Sequence, residues 1–161
     1  MKKVLFEIEM ENGKVMKGEL YPEVAPITVQ NFIGLIEKHF YDGLIFHRVI
    51  PGFMIQGGGV DSQMNQKSCP SIYGEFDSNG FHNSLLHTRG VISMARTMIK
   101  DSASSQFFIM HEDAPHLDGE YAAFGKIIEG MDVVDEIANV ETNHADCPLT
   151  PVVIKTMRRL P

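Results

Sequence analysis

Phe46-His47-Arg48-Val49-Ile50-Pro51-Gly52-Phe53-Met54-Ile55-Gln56-Gly57-Gly58 sets two runs of bulky apolar residues on either side of a Pro-Gly pair. Pro and Gly together favour a turn, so the stretch reads as two short strands, Ile45–Ile50 and Phe53–Gln56, joined tightly. Side chains alternate across a strand, which places Phe46, Arg48 and Ile50 on one face and pairs Met54 with Gln56. An arginine on a core-like face is costly unless it is paired or opens on a pocket. Two readings of Arg48 follow: it turns to solvent beside a phenylalanine stripe, or it faces a pocket. Gly57-Gly58-Gly59 lacks the final glycine and the following helix of a nucleotide-binding turn. Its expected role is a bulge or a close backbone approach at a strand end.

The same kind of short apolar run recurs along the chain at Val91–Ala95, Phe107–Met110, Ala122–Ile127 and Val152–Met157. Near the start, Val4, Phe6, Ile8 and Met10 alternate with Glu7, Glu9 and Glu11. Asn12-Gly13 then predicts a tight primed turn before the return strand that begins at Val15-Met16. Pro26 suits the first turn of a helix, and Val29, Phe32, Ile33, Ile36 and Phe40 trace one helical face ending near Gly43. Met131, Val133, Val134 and Ile137 predict a second, shorter helix. About eight short strands with two helices argue for an antiparallel barrel or sandwich, with residues 1–161 as one domain.

Composition limits what such a domain does. The chain has 161 residues, enough to bury roughly two-thirds of its unfolded surface without a disulfide or metal. Its net charge is -7, and neither half forms a basic arm, since residues 1–80 and 81–161 each carry 7 basic groups against 10 and 11 acidic ones. Binding to nucleic acid or to an anionic membrane through basic residues is therefore not expected. No leader-like apolar core follows Lys2-Lys3, because charge returns at Glu7, so a cytoplasmic location is expected. Cys69 and Cys147 stand alone in sequence and read as free thiols.

Motifs for covalent and metal chemistry are missing. There is no Gly-x-Ser-x-Gly elbow, phosphate-binding loop or calcium loop. His111 and His116 are five apart with Pro115 between them, so they cannot share one face of a zinc-binding helix. His82 and His87 repeat that spacing. No metal site and no cofactor are expected.

The stretch from Phe46 to Gly58 closely resembles the signature of the cyclophilins, a family of peptidyl-prolyl cis-trans isomerases. Further matching blocks follow in order: Ser71–Glu75, Gly90–Ala95, Ser105–Ile109, then Leu117-Asp118-Gly119 with Phe124-Gly125-Lys126, and Glu129-Gly130-Met131. The resemblance implies a mainly β fold, a closed eight-stranded antiparallel β-barrel capped by two α-helices, with a substrate groove on its outside. It maps the catalytic arginine to Arg48, with Gln56 beside it. The proline pocket maps to Phe53, Met54, Phe108 and Leu117, and further groove contacts to Ala95, Arg96, Gln106, His116 and Tyr121. The implied partners are proline-containing peptides and unfolded protein clients, and the compact length favours a monomer.

The residue types suit that task. Rotation about a peptide bond meets a barrier of ~18–20 kcal/mol because it breaks amide resonance. In the twisted state the prolyl nitrogen regains a lone pair, and a guanidinium can donate to it at any relevant pH. Two departures from the family pattern stand out. His116 and Tyr121 occupy places around Leu117-Asp118-Gly119 where many members carry Trp and His, so only weak cyclosporin binding is expected. The loop Thr97–Ser104 lacks the commoner Gly/Asn-rich composition.

Overall fold

A computed structural model of the chain describes residues 3–161. Its strands run β1 (Val4–Met10), β2 (Val15–Leu20), β3 (Leu44–Ile50), β4 (Met54–Asp61), β5 (Val91–Met94), β6 (Phe107–Met110), β7 (Ala123–Glu129) and β8 (Ile154–Arg159). The helices are α1 (Pro26–Glu37), between β2 and β3, and α2 (Met131–Ala138), between β7 and β8. All strand pairs are antiparallel, in the order β3-β4-β6-β5-β7-β2-β1-β8. The two outer strands meet through an Ile45–Val153 bridge, with Gly43 N–H donating to Ile154 O at 2.8 Å and Phe46 N–H to Val152 O at 3.0 Å. The sheet thus curls into a nearly closed barrel, as the sequence led us to expect.

Alternation fills the interior. Phe6, Ile8 and Met10 of β1, Met16 and Leu20 of β2, and Phe107 and Ile109 of β6 all belong to one buried cluster. Phe32 of α1 enters this cluster and sits edge-on against Phe6, Phe107 and Phe124 at centroid distances of 5.6, 5.4 and 5.0 Å. The helix therefore plugs the barrel with an aromatic side chain. Strand β6 is buried on both faces: Phe108 and Met110 point outward into a second cluster with Met54, Val91, Ala114, Leu117 and Ala123. That outer cluster is the floor of the site.

Four local expectations are corrected by the structure. The first hairpin does not close through a two-residue primed turn. Gly13 N–H donates to Met10 O, Met10 N–H donates to Lys14 O, and Gly13 alone takes a positive φ of 89°, which makes a three-residue loop with a glycine bulge. The first helix stops at Glu37, short of Phe40. His39 adopts a left-handed φ of 56°, with His39 N–H on Ile36 O and Phe40 N–H on Leu35 O. That pair of bonds satisfies the last carbonyls and ends the helix.

Arg48 does not share the face of Phe46. The β3–β4 register shifts between these residues, so Phe46 and Val49, three apart, both point into the core and Arg48 is exposed. A bulge resets strand alternation in just this way. Finally, Gly57-Gly58-Gly59 lies inside β4, which continues to Asp61, and not at a strand end.

Candidate active site

Strands β3 and β4 place Arg48 directly across from Gln56, and β6 places Phe108 on the other side of Gln56. Because of the bulge, Arg48 emerges on the outer face beside Met54, Gln56 and Phe108. The turn after β3 adds Phe53, the end of β5 leads into Ala95 and Arg96, and the short helical turn Pro115–Leu117 adds Leu117. Tyr121 completes the wall just before β7. Together these nine residues line one cavity of about 140 Å³. That is well below the ~300–1,000 Å³ of a drug-sized ligand site and suits a single small ring.

A larger cavity of about 620 Å³ lies between α2 and the segment before β8, lined by Met10, Val133, Ile137 and Leu149 among others. No Lys, Arg or His lines it. Size alone does not make it the site, because it offers no strong donor beside an apolar floor.

The polar side of the small cavity is a chain of amides ending on a cation. Gln56 Nε2 donates to Gln106 Oε1 at 3.1 Å, which leaves Gln56 Oε1 facing Arg48, whose Nη1 is 3.4 Å away. Gln106 does not line the cavity itself; it holds Gln56 from behind. Gly59 makes room for it, since a Cβ there would come within 2.4 Å of Gln106 Nε2. Among the described residues no carboxylate lies within ion-pair distance of Arg48, so its guanidinium is exposed and largely unspent. Next to it, burial and the Arg48 charge push the His47 imidazole pKa down, which favours the neutral ring.

Arg96 serves the wall. Its guanidinium lies between the rings of Phe76 and Tyr121, 4.7 Å from each centroid. It also donates from Nε and Nη2 to Glu120 O at 3.1 and 2.7 Å and from Nη1 to Thr97 O at 2.9 Å. Its hydrogen-bonding capacity is thus used in fixing Tyr121 and the start of the next loop. Tyr121 in turn meets Phe108 edge-on at 5.7 Å. His116 is outside the cavity and exposed, packed on Phe53 at 5.7 Å between ring centroids.

Sequence reasoning missed the support beneath Phe108. The His87 ring stacks on Phe108 with centroids 6.0 Å apart. Asp118 can only accept, so His87 Nδ1–H donates to Asp118 Oδ1 at 3.0 Å, and Nε2 accepts from the Ser93 hydroxyl at 2.8 Å. This looks like a hydrolase triad, but Ser93 is fully buried and not among the cavity's lining residues. The three groups satisfy one another behind the floor of the site. Only their separation in sequence hid them, with Asp118 visible merely as part of a motif.

The family described as "Cyclophilin type peptidyl-prolyl cis-trans isomerase/CLD" matches residues 5–159. The chain belongs to the cyclophilin-type isomerases. It is 49% identical over 145 residues to a peptidyl-prolyl cis-trans isomerase of Acinetobacter baylyi, covering 84% of this chain and 75% of that one. It is also 41% identical over 149 residues to peptidyl-prolyl cis-trans isomerase B of Escherichia coli, covering 85% and 88%. A cyclophilin-type isomerase of Cryptosporidium parvum has the same fold, with a TM-score of 0.85, 27% identity and 99% of each chain covered. The crystal structure of that protein in the presence of the dipeptide Ala-Pro matches with a TM-score of 0.82 over 98% of this chain.

Proposed function

We propose that this cyclophilin accelerates cis–trans rotation about X–Pro bonds in flexible or unfolded protein segments, with Arg48 as the group that stabilises the twisted state. The observation that carries this reading is a guanidinium with no carboxylate partner among the described residues, set in the wall of a cavity sized for one ring beside Phe53, Met54, Phe108 and Leu117.

Proline enters with its ring against Met54, Phe108 and Leu117, between Phe53 and Tyr121. Arg48 then faces the prolyl nitrogen. In the planar amide that nitrogen has no free lone pair, so the contact is poor. As the bond twists the lone pair localises, and the Arg48 N–H donates to it. An interaction that strengthens on the way to the transition state lowers the barrier. By comparison with a single oxyanion-hole donor, it supplies about 3–4 kcal/mol, or roughly 10²–10³ in rate. Gln56, fixed by Gln106, orients the guanidinium and can also donate to a client carbonyl. No proton moves and no covalent bond forms in this scheme.

Arg48→Ala tests the assignment. Arg48 is exposed and makes only the long contact to Gln56, so the variant should keep its circular dichroism spectrum and melting temperature. Its kcat/KM on a proline-containing test peptide should fall by roughly 10²–10³. Turnover like that of the parent protein would remove Arg48 from the mechanism.

A further inference from the structure

The loop that follows Arg96 carries two large apolar side chains in full view of solvent. Met98 is 96% exposed and Ile99 is 70% exposed. Single exposed apolar residues are common on any surface, but two adjoining ones at the tip of an ordered loop are not. This loop is heavily cross-linked. Ser102 Oγ accepts from Thr97 N–H at 2.9 Å and donates to Ile99 O at 2.6 Å, and Ile99 N–H donates to Thr97 Oγ1 at 3.2 Å.

The loop's charges are engaged as well. Lys100 Nζ donates to Ser78 O at 2.6 Å, and Asp101 Oδ1 accepts from Gly74 N–H at 2.9 Å and Asn79 Nδ2 at 2.8 Å. The tip is therefore pinned at both ends, and Met98 and Ile99 are the side chains it displays. It is also continuous with the site, because Arg96 lines the cavity and donates to Thr97 O. Met98 follows Arg96 by two residues, so their Cα atoms are at most about 8 Å apart.

We infer that Met98 and Ile99 form a second contact for the client, a platform for a large apolar side chain lying a few residues from the proline seated in the cavity. The inference rests on the proposed function of that cavity. An extended client advances about 3.3 Å per residue, so residues two to four positions from the proline reach the platform. The partner it selects has defined chemistry: an unfolded segment, in which apolar residues that folding would bury are still exposed beside a proline. A polar, permanently disordered linker has the proline but lacks the anchor.

The test compares two capped peptides with the same central Ala-Pro, one flanked by Leu and Phe and the other by Ser. In the Met98→Ser/Ile99→Ser variant, KM for the Leu/Phe peptide should rise about tenfold, as expected for losing partial burial of two side chains. Its kcat, and both constants for the Ser-flanked peptide, should stay within about twofold of the parent protein's. Met98→Leu/Ile99→Val should restore the low KM. An unchanged KM for the Leu/Phe peptide, or equal losses on both peptides, would overturn the platform. In parallel, the ¹³C-labelled Met98 methyl signal is followed during titration with each peptide, and it should shift only with the Leu/Phe peptide. If the parent protein turned over neither peptide, the proposed function would fail, and this shift would still decide whether the platform exists.

Discussion

His87 shows how one buried side chain ties the site to the stability of the protein. It is 1% exposed, and burial outweighs the neighbouring Asp118 carboxylate, so its pKa lies below the ordinary histidine value. Half-buried His47 is shifted the same way by burial and by Arg48. Above pH ~6.5 both rings are neutral in the folded and unfolded chains, and no penalty arises. Below it the unfolded chain takes up protons that the folded chain refuses, so stability is lost as the pH falls from about 6.5 toward the lower folded-state values. The urea midpoint should therefore drop between pH 7.5 and pH 5.5, and His87→Gln should flatten that dependence whatever its effect on stability at neutral pH. A pH slope unchanged in the variant would mean that His87 is not responsible. Arg48 was legible in sequence as an odd cation among apolar residues, and the resemblance picked out Phe53, Met54, Phe108 and Leu117, which the structure gathers around one cavity. The bulge that turns Arg48 away from Phe46 was not legible, because it depends on the register with β4. Arg96 and His116 were expected as groove contacts; Arg96 lines the cavity but is committed to Tyr121, and His116 lies outside it.

Elements show the same division between local and distant causes. Pro26 announces the start of α1 because it lacks the N–H that a first helical position leaves unused. The rest of that helix start is supplied from far away. Glu75, with no exposed surface, accepts from Ile27 N–H at 3.2 Å and from Thr28 N–H and Thr28 Oγ1 at 2.7 Å each. Ala25, at the cap position, offers no side-chain acceptor. A carboxylate at a helix N-terminus also complements the helix dipole. Nothing in the local sequence reveals that a residue 47 positions beyond Thr28 does this work. Glu75→Ala leaves several buried donors unpaired and should cost about 3 kcal/mol. Glu75→Gln keeps one acceptor oxygen and should cost less. Both are read from urea unfolding, and a loss below about 1 kcal/mol in the alanine variant would show that α1 is held by the packing of its buried face, Val29, Phe32, Leu35 and Ile36, without this cap.

The whole barrel is the level at which periodicity is least informative. Hairpins β1–β2, β3–β4 and β5–β6 could be drawn from neighbouring apolar runs, but the pairings β4–β6, β2–β7 and β1–β8 join distant segments. Only the resemblance across five ordered blocks led to the closed form. Closure itself is uneven. β1 and β8 share five paired positions, from Phe6–Arg159 to Met10–Ile154, reinforced on the outer face by Arg158 donating to Glu7 and Glu9 at 2.7 and 2.8 Å. At the opposite edge of β8, β3 is held by the Ile45–Val153 bridge, by the Gly43 and Phe46 amides, and farther along by Val49 N–H on Asp146 O at 2.8 Å, without a continuous ladder. An amide is protected from exchange by the free energy needed to open it, and the cheapest opening breaks the fewest bonds. The Gly43 and Phe46 amides should therefore exchange with solvent at least about tenfold faster than those of β6, which lies between two partners with both faces buried. Equal protection at the seam and in β6 would mean that the barrel opens only by global unfolding. Faster exchange at the seam would mean that it can part while β4, β6 and β5, which carry Met54, Gln56 and Phe108 and lead into Ala95, stay assembled. Of the residues lining the cavity, Arg48 alone sits on a seam strand, β3, where its pairing with Gln56 of β4 keeps it in place as the seam parts.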